Sequence, residues 1–271
     1  MKVVSLIVAA SALLFCIGAN AADLHPIVEV QSGYLFGAVA DGKWIKADEA
    51  AKLMTDETRY RVYDLTGYFS DTTGSQPKPE DAPCEETLSV PLSYKPNKGV
   101  IAIAATWDAV PRKVRVIDPT QKNYVDAVRD FLKTKGIDQP KVKIDNIIRV
   151  DLDGDGEEEV LISATNYLTD GGPLPMRSPA GSYSCVLLRR VVAGKVETQL
   201  VEGEFHPKAY VRKEDSFDAP NAYKVIAVLD LDGDGKMEIV IASQYYEGEA
   251  TTIYRCDPKK CEMLLSVGCG A

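Results

Sequence analysis

The chain predicts a mainly β protein, with two four-stranded, blade-like antiparallel units in its C-terminal half and a β-rich N-terminal half carrying one well-defined amphipathic helix. Three observations point there. Short, nearly unbroken apolar runs rich in β-branched residues recur at 147–150, 160–162, 225–229 and 239–242, the mark of strands covered on both faces. Turn signals of Gly, Asp and Pro separate the runs. One acidic segment is duplicated: Asp151-Leu152-Asp153-Gly154-Asp155-Gly156-Glu157-Glu158-Glu159 returns 79 residues on as Asp230-Leu231-Asp232-Gly233-Asp234-Gly235-Lys236-Met237-Glu238, and eight of twelve positions from the first Asp are identical.

Taken in order, residues 1–21 read as a secretory signal peptide: Lys2, an apolar stretch over 3–17, then Ala19-Asn20-Ala21 before the cleavage point. The stretch is too short to cross a membrane, and no later one approaches the length required. Phe15 ahead of Cys16 speaks against lipid attachment. An N-terminal β-rich region is expected over 22–117. Within it, 34–47 alternates around Asp41-Gly42 as a hairpin, and 47–54 suits a short helix. Strands are expected at 59–65, 87–92 and 100–105, and the Pro-, Gly-, Asp- and Thr-rich stretch 70–83 reads as a loop. A helix follows over 118–136, with Asp118 as N-cap, Pro119 in the first position, Gly136 as the stop, and Tyr124, Val125, Val128, Phe131 and Leu132 as its apolar stripe. The tandem repeats fill 141–271, with one unit over about 143–205 and the other over about 222–267. Each is a four-stranded meander, the form of a propeller blade.

The duplicated loop places carboxylates at positions 1, 3, 5 and 9. Hard oxygen donors brought round one point by a short loop are what Ca²⁺ takes, in shells of six to eight. In the first loop the ligands would be Asp151, Asp153 and Asp155, the main-chain carbonyl of Glu157, and Glu159; in the second, Asp230, Asp232, Asp234, the carbonyl of Lys236, and Glu238. So many carboxylates repel one another unless a cation sits among them. Mg²⁺ suits the loops less well, because it keeps a rigid, water-rich octahedral shell. A helix–loop–helix site would need an acidic residue at position 12. That position is Ile162 or Ile241, so each loop joins two strands.

On these residues the chain resembles the calcium loops of FG-GAP and VCBS-type repeats, the propeller blades known from integrin α-chain heads and from secreted bacterial proteins. The resemblance covers about 20 residues around each loop, with Glu159 and Glu238 where the family usually has Asp. It implies two structural Ca²⁺ sites and a blade-like β fold.

Composition limits the function further. The chain carries 31 Lys and Arg against 40 Asp and Glu, a net charge of −9, so it has no electrostatic case for nucleic acid or for anionic membrane surfaces. Six cysteines are present, one of them in the leader. An exported chain permits disulfides. Cys256 and Cys261 flank a four-residue turn and form the best local pair, and Cys84 with Cys269 would staple the tail to the first half. A fifth cysteine then stays free or pairs outside the chain.

His25 and His206 lie in no catalytic pattern and read as surface histidines. Gly-x-Ser-x-Gly, HExxH and phosphate-cradling glycine motifs are absent. The expected function is therefore a secreted or periplasmic calcium-binding module with an unidentified protein or glycan ligand. The alternative class is a secreted, glycan-directed hydrolase using carboxylates. Tyr167, Asp170, Met176, Arg177 and Tyr183 in one long loop, and Tyr245, Tyr246, Glu247 and Glu249 in the second unit, are the candidate binding surface.

Overall fold

The computed structural model describes residues 23–167, 174–209 and 220–270. The expected signal peptide and Asp170 lie outside these residues. Strands β1 (Leu24–Glu29), β2 (Leu35–Ala40), β3 (Lys43–Lys46), β4 (Thr58–Asp64) and β5 (Gly67–Gly74) come first, with helix α1 (Ala47–Leu53) between β3 and β4. The ribbon of β6 (Lys78–Pro79) and β7 (Leu88–Ser89) follows, then β8 (Ile101–Ile103). These build a six-stranded sheet in the order β3-β2-β1-β8-β4-β5. Next come β9 (Arg115–Ile117), helix α2 (Lys122–Thr134), and the strands of the first repeat, β10 (Ile144–Val150), β11 (Glu159–Thr165), β12 (Ser182–Val192) and β13 (Lys195–His206). The second repeat is β14 (Ala222–Leu229), β15 (Glu238–Tyr245), β16 (Gly248–Cys256) and β17 (Cys261–Gly270), an antiparallel meander in chain order.

The three large sheets stack face to face, with the second repeat in the middle. Alternation along each strand sends neighbouring residues to opposite faces, and both faces of β15 are used. Val240 joins Ala227, Leu229 and Ile253 against Ile27, Phe36, Ile101 and Ile103 of the N-terminal sheet. Ile239 and Ile241 point the other way, packing with Val225 and Val228 against Ile148, Leu161, Val186 and Leu188 of the first repeat. The outer face of the first repeat is covered by Tyr124, Val128 and Leu132 of α2. The outer face of the N-terminal sheet packs with Ala47 and Ala51 of α1 and with Met54 just after it. A helix therefore closes each end of the stack. Each fully buried Ile, Leu or Val contributes on the order of 1.5–3 kcal/mol, which is why strands buried on both faces carry the assembly. All seven residues of β11 are buried.

Polar bonds register the two repeats against each other. Asn146 Nδ2 donates to the Val225 carbonyl at 3.1 Å, the Val225 N–H donates to Ser163 Oγ at 3.0 Å, and the Tyr223 N–H donates to Ser184 Oγ at 2.8 Å. Both expected disulfides are formed, Cys84–Cys269 and Cys256–Cys261, and Cys185 is a buried free thiol.

The structure corrects several expectations. Residues 70–74 are not loop: β5 runs through them, paired antiparallel with β4 from Thr58↔Gly74 to Asp64↔Gly67. The composition that looked like a loop is that of a half-exposed strand at the sheet edge. The first repeat has its four strands, and β9 adds a fifth by pairing with β10. Asp118 does not cap α2. Its Oδ1 accepts the Thr120 N–H and Oγ1–H at 2.8 Å each, forming a turn ahead of the helix, and Gln121 holds the N-cap position without a side-chain bond. His25 is not a surface residue. It lies in β1 at 8 % exposure, with Nδ1 2.8 Å from the Ala104 carbonyl and its ring edge-on to Trp107.

Candidate metal centre

Each acidic loop leaves one strand and enters the next of the same hairpin, β10 to β11 and β14 to β15. Both loops fold identically. The first Asp accepts two loop N–H groups: Gly154 and Gly156 on Asp151 at 2.7 and 3.1 Å, and Gly233 and Gly235 on Asp230 at the same 2.7 and 3.1 Å. The third and fifth positions each take the N–H two residues on: Asp153 from Asp155 and Asp155 from Glu157, Asp232 from Asp234 and Asp234 from Lys236. The closing glutamate reaches back to the second residue, Glu159 to the Leu152 N–H and Glu238 to the Leu231 N–H, both at 2.9 Å. The duplication read in the sequence is thus a duplication of hydrogen bonding.

These turns aim carboxylate oxygens at a common point. One oxygen each from Asp151, Asp153 and Glu159 lie within 4.8 Å of one another, as do one each from Asp230, Asp232 and Asp234. Asp155 and Glu238 stand outside these trios, and Glu157 and Lys236 are exposed loop residues. An all-oxygen, multiply anionic donor set on a loop of this size fits a hard divalent cation. Burial raises the proton affinity of the inner carboxylates. The Glu159 carboxyl is pushed above its usual range by burial, with Asp153 adding to the effect and the Leu152 N–H and Arg190 opposing it. Asp230 is raised by burial and by Asp232 and Asp234 against two loop N–H bonds. Glu238, fully buried, is raised to about 8 by burial, against the pull of Arg255 and the Leu231 N–H. Carboxylates held this way hold their charge best beside a cation.

The segment between β8 and β9, which the sequence left unassigned, braces both loops. The Trp107 indole N–H donates to the Asp230 carbonyl at 2.8 Å, and the Asp230 N–H donates to the Ala109 carbonyl at 2.8 Å. Arg112 spans the pair: Nε donates to the Asp151 carbonyl at 2.5 Å, and Nη2 to the carbonyls of Leu152 at 3.0 Å and Gly235 at 2.7 Å. The Met237 N–H completes the tie by donating to the Leu152 carbonyl at 2.8 Å. Glu158 is engaged elsewhere, accepting from Arg115 and lying 3.2 Å from Arg149.

Arg255 of β16 is the other residue the sequence did not mark. Its guanidinium donates to Asp232 at 2.5 Å and to Glu238 at 2.6 and 2.9 Å, and lies 4.0 Å from Asp234. The candidate binding surface is reduced in turn, because Tyr167 and Tyr183 are buried. Of that loop Met176 and Arg177 are exposed. In the second repeat Tyr245 and Tyr246 are half-buried at the turn between β15 and β16, where their rings meet edge to face.

Comparison with known families finds one of the two repeats: the FG-GAP repeat matches residues 223–254, which hold most of β14, the second loop, β15 and most of β16. No curated protein and no solved structure matches the chain. Among the described residues, no helix is long and apolar enough to cross a membrane.

Proposed function

We propose that this protein is an exported calcium-binding β-repeat module, in which Ca²⁺ is structural and the stacked sheets present a surface to a protein or glycan of the cell envelope or its surroundings. The observation that carries the reading is the pair of loops with matching hydrogen bonds, each converging three carboxylate oxygens within 4.8 Å. The FG-GAP match over 223–254 supports an extracellular, propeller-like module. The two disulfides suit an oxidising compartment.

In the first loop Asp151, Asp153, Asp155 and Glu159 would hold the ion with the Glu157 carbonyl; in the second, Asp230, Asp232, Asp234 and Glu238 with the Lys236 carbonyl. Bound calcium would supply positive charge where buried carboxylates need it. Each closing glutamate begins the second strand of its hairpin, so the charge would be placed where the strands meet. Binding to the folded state alone stabilises it by about 2.7 kcal/mol at a hundredfold excess over Kd. Thermal melts in EGTA and in titrated Ca²⁺ test this. The melting point is expected to rise with Ca²⁺ and to lose part of the rise in Asp153→Ala. A melting point indifferent to Ca²⁺ overturns the reading.

A further inference from the structure

Resting on the reading that these loops are calcium sites, we infer that the two are not equivalent: Arg255 is a resident counter-cation of the second loop, so that the first loop binds Ca²⁺ more tightly and the second binds only by displacing Arg255.

The argument begins with strand register. Ile239 pairs with Tyr254 on β15 and β16, so the next residues outward, Glu238 and Arg255, come side by side. Val160 pairs with Arg189 on β11 and β12, which brings Glu159 beside Arg190 in the same way. Each repeat therefore carries an arginine opposite its closing glutamate. Sequence spacing hides the correspondence: Arg190 stands 39 residues after Asp151 and Arg255 only 25 after Asp230, because the connection between the second and third strands is longer in the first repeat.

The two arginines are used differently. Arg255 is within ion-pair distance of Asp232, Asp234 and Glu238, and its guanidinium lies 5.8 Å from the Trp44 ring centroid, a stacked position that favours a cation. Arg190 is 7 % exposed, and among the described residues its Nε and Nη2 have no hydrogen-bond partner. Among the described residues it makes no ion pair with the first loop, whose candidate ligand carboxylates are approached most closely by Arg112, with Nε 3.9 Å from Asp151, while Arg115 and Arg149 pair with Glu158 outside the ligand set. The trios differ accordingly. Glu159 joins the convergent oxygens of the first loop, whereas Glu238 is engaged by Arg255 and stands apart from those of the second.

A tethered guanidinium competes with a free ion at high effective concentration. Its charge-assisted bonds must break before the carboxylates can turn to a metal. This competition weakens binding in the second loop relative to the first.

The chain supplies its own reporter. It has two tryptophans, and both adjoin the second loop, Trp107 on the Asp230 carbonyl and Trp44 on Arg255. Calorimetry of the oxidised chain with Ca²⁺ counts both sites, while tryptophan fluorescence follows the second. The first equivalent of Ca²⁺ is expected to bind without a fluorescence change. The fluorescence midpoint should lie at roughly tenfold or more higher Ca²⁺, the order expected where a resident guanidinium already neutralises one unit of the site's charge. Arg255→Gln should bring that midpoint down about tenfold, towards the first site, and Arg255→Lys, which keeps a tethered charge, should move it less. Asp153→Ala should abolish the first, silent equivalent in the wild-type background. The inference is overturned if fluorescence moves with the first equivalent in the wild-type chain, or if natively folded Arg255→Gln leaves the midpoint where it was. Should Arg255→Gln fail to fold, the order of the two wild-type events decides alone. Absence of uptake by both proteins overturns the calcium reading and the inference with it, whereas equal uptake by both loops overturns the inference only.

Discussion

Trp107 donates its indole N–H to the main-chain carbonyl of Asp230 at 2.8 Å, and its own carbonyl accepts from Arg61 Nη1 at 2.9 Å. A residue in the connector between two sheets thus fixes the first position of the second acidic loop to β4 of the N-terminal sheet. Replacing Trp107 with Phe removes the donor, leaves the carbonyl short of a partner and thins the packing. The expected loss is about 1–3 kcal/mol, read as a lower urea midpoint with unchanged m-value. An unchanged midpoint would mean that the indole bond contributes nothing net.

Gly233 and Gly235 separate two costs that usually come together. Both have positive φ, +75° and +82°, but a Cβ on Gly233 would sit 3.1–3.2 Å from the Trp107 ring, whereas one on Gly235 would meet nothing within 4 Å. Gly235→Ala should therefore cost only the backbone strain, about 1 kcal/mol. Gly233→Ala should cost more and shift Trp107 emission. Equal losses in chemical denaturation would show that the indole yields freely.

Much of this was legible from the residues. The duplicated loop and its apolar flanks specify two strand–loop–strand units, because β-branched runs on either side of an Asp-Gly turn leave few other folds. Cys256 and Cys261 lie close enough in sequence for the hairpin to dictate their pairing. The supporting residues were not legible. Arg112 and Trp107 act through main-chain carbonyls, which leave no sequence pattern, and Arg255 and Arg190 correspond only after the strands are paired. His25 was misread for the same reason. Its neighbours Leu24 and Ile27 look like a fraying terminus until β1 is seen between β2 and β8.

Arg112 gives a test of coupling between the loops. One guanidinium serves carbonyls of both, Asp151 and Leu152 on one side and Gly235 on the other. Arg112→Ala should lower stability by roughly 2–3 kcal/mol, since bonds to a charged donor are worth more than neutral ones. Arg112→Lys should recover little, because an ammonium has no planar fork to span three carbonyls. The discriminating readout is hydrogen exchange, in which the N–H groups of Gly154 and Gly235 should both lose protection. Loss confined to one loop would make Arg112 a local prop.

The Cys84–Cys269 bridge joins residues 185 apart and is reinforced where Thr87 Oγ1 donates to the Gly268 carbonyl at 2.8 Å. It fastens the ribbon between β5 and β8 to the end of β17. Replacing both cysteines with serine should cost about 2–5 kcal/mol. The same change at Cys256 and Cys261, only five residues apart, should cost less, because the loop it closes is already a hairpin. Urea titration of the two double variants ranks them, and the reverse order would place the chain-entropy argument in doubt.

Alkaline pH offers a separate test of the core of the first repeat. Cys185 is buried under α2 with Tyr183, and burial pushes the thiol from 9.0 up to about 12. Tyr183 is pushed from 10.0 up to about 12 by burial, partly offset by the Lys143 N–H that donates to its oxygen. Both groups ionise more readily in the unfolded chain, so between about pH 9 and 12 the native state binds more protons than the unfolded one. Stability from these two groups is complete below pH 9 and is lost as pH rises towards 12. The melting point should fall over that window, and Cys185→Ala should flatten the lower part of the fall if the small cavity it leaves is tolerated. At pH 8 the native thiol should be inert to a disulfide reagent, since the reacting species is the thiolate, and should react fully once the chain is unfolded in urea. Rapid labelling of the native protein at pH 8 would show that this face of the sheet opens locally without global unfolding.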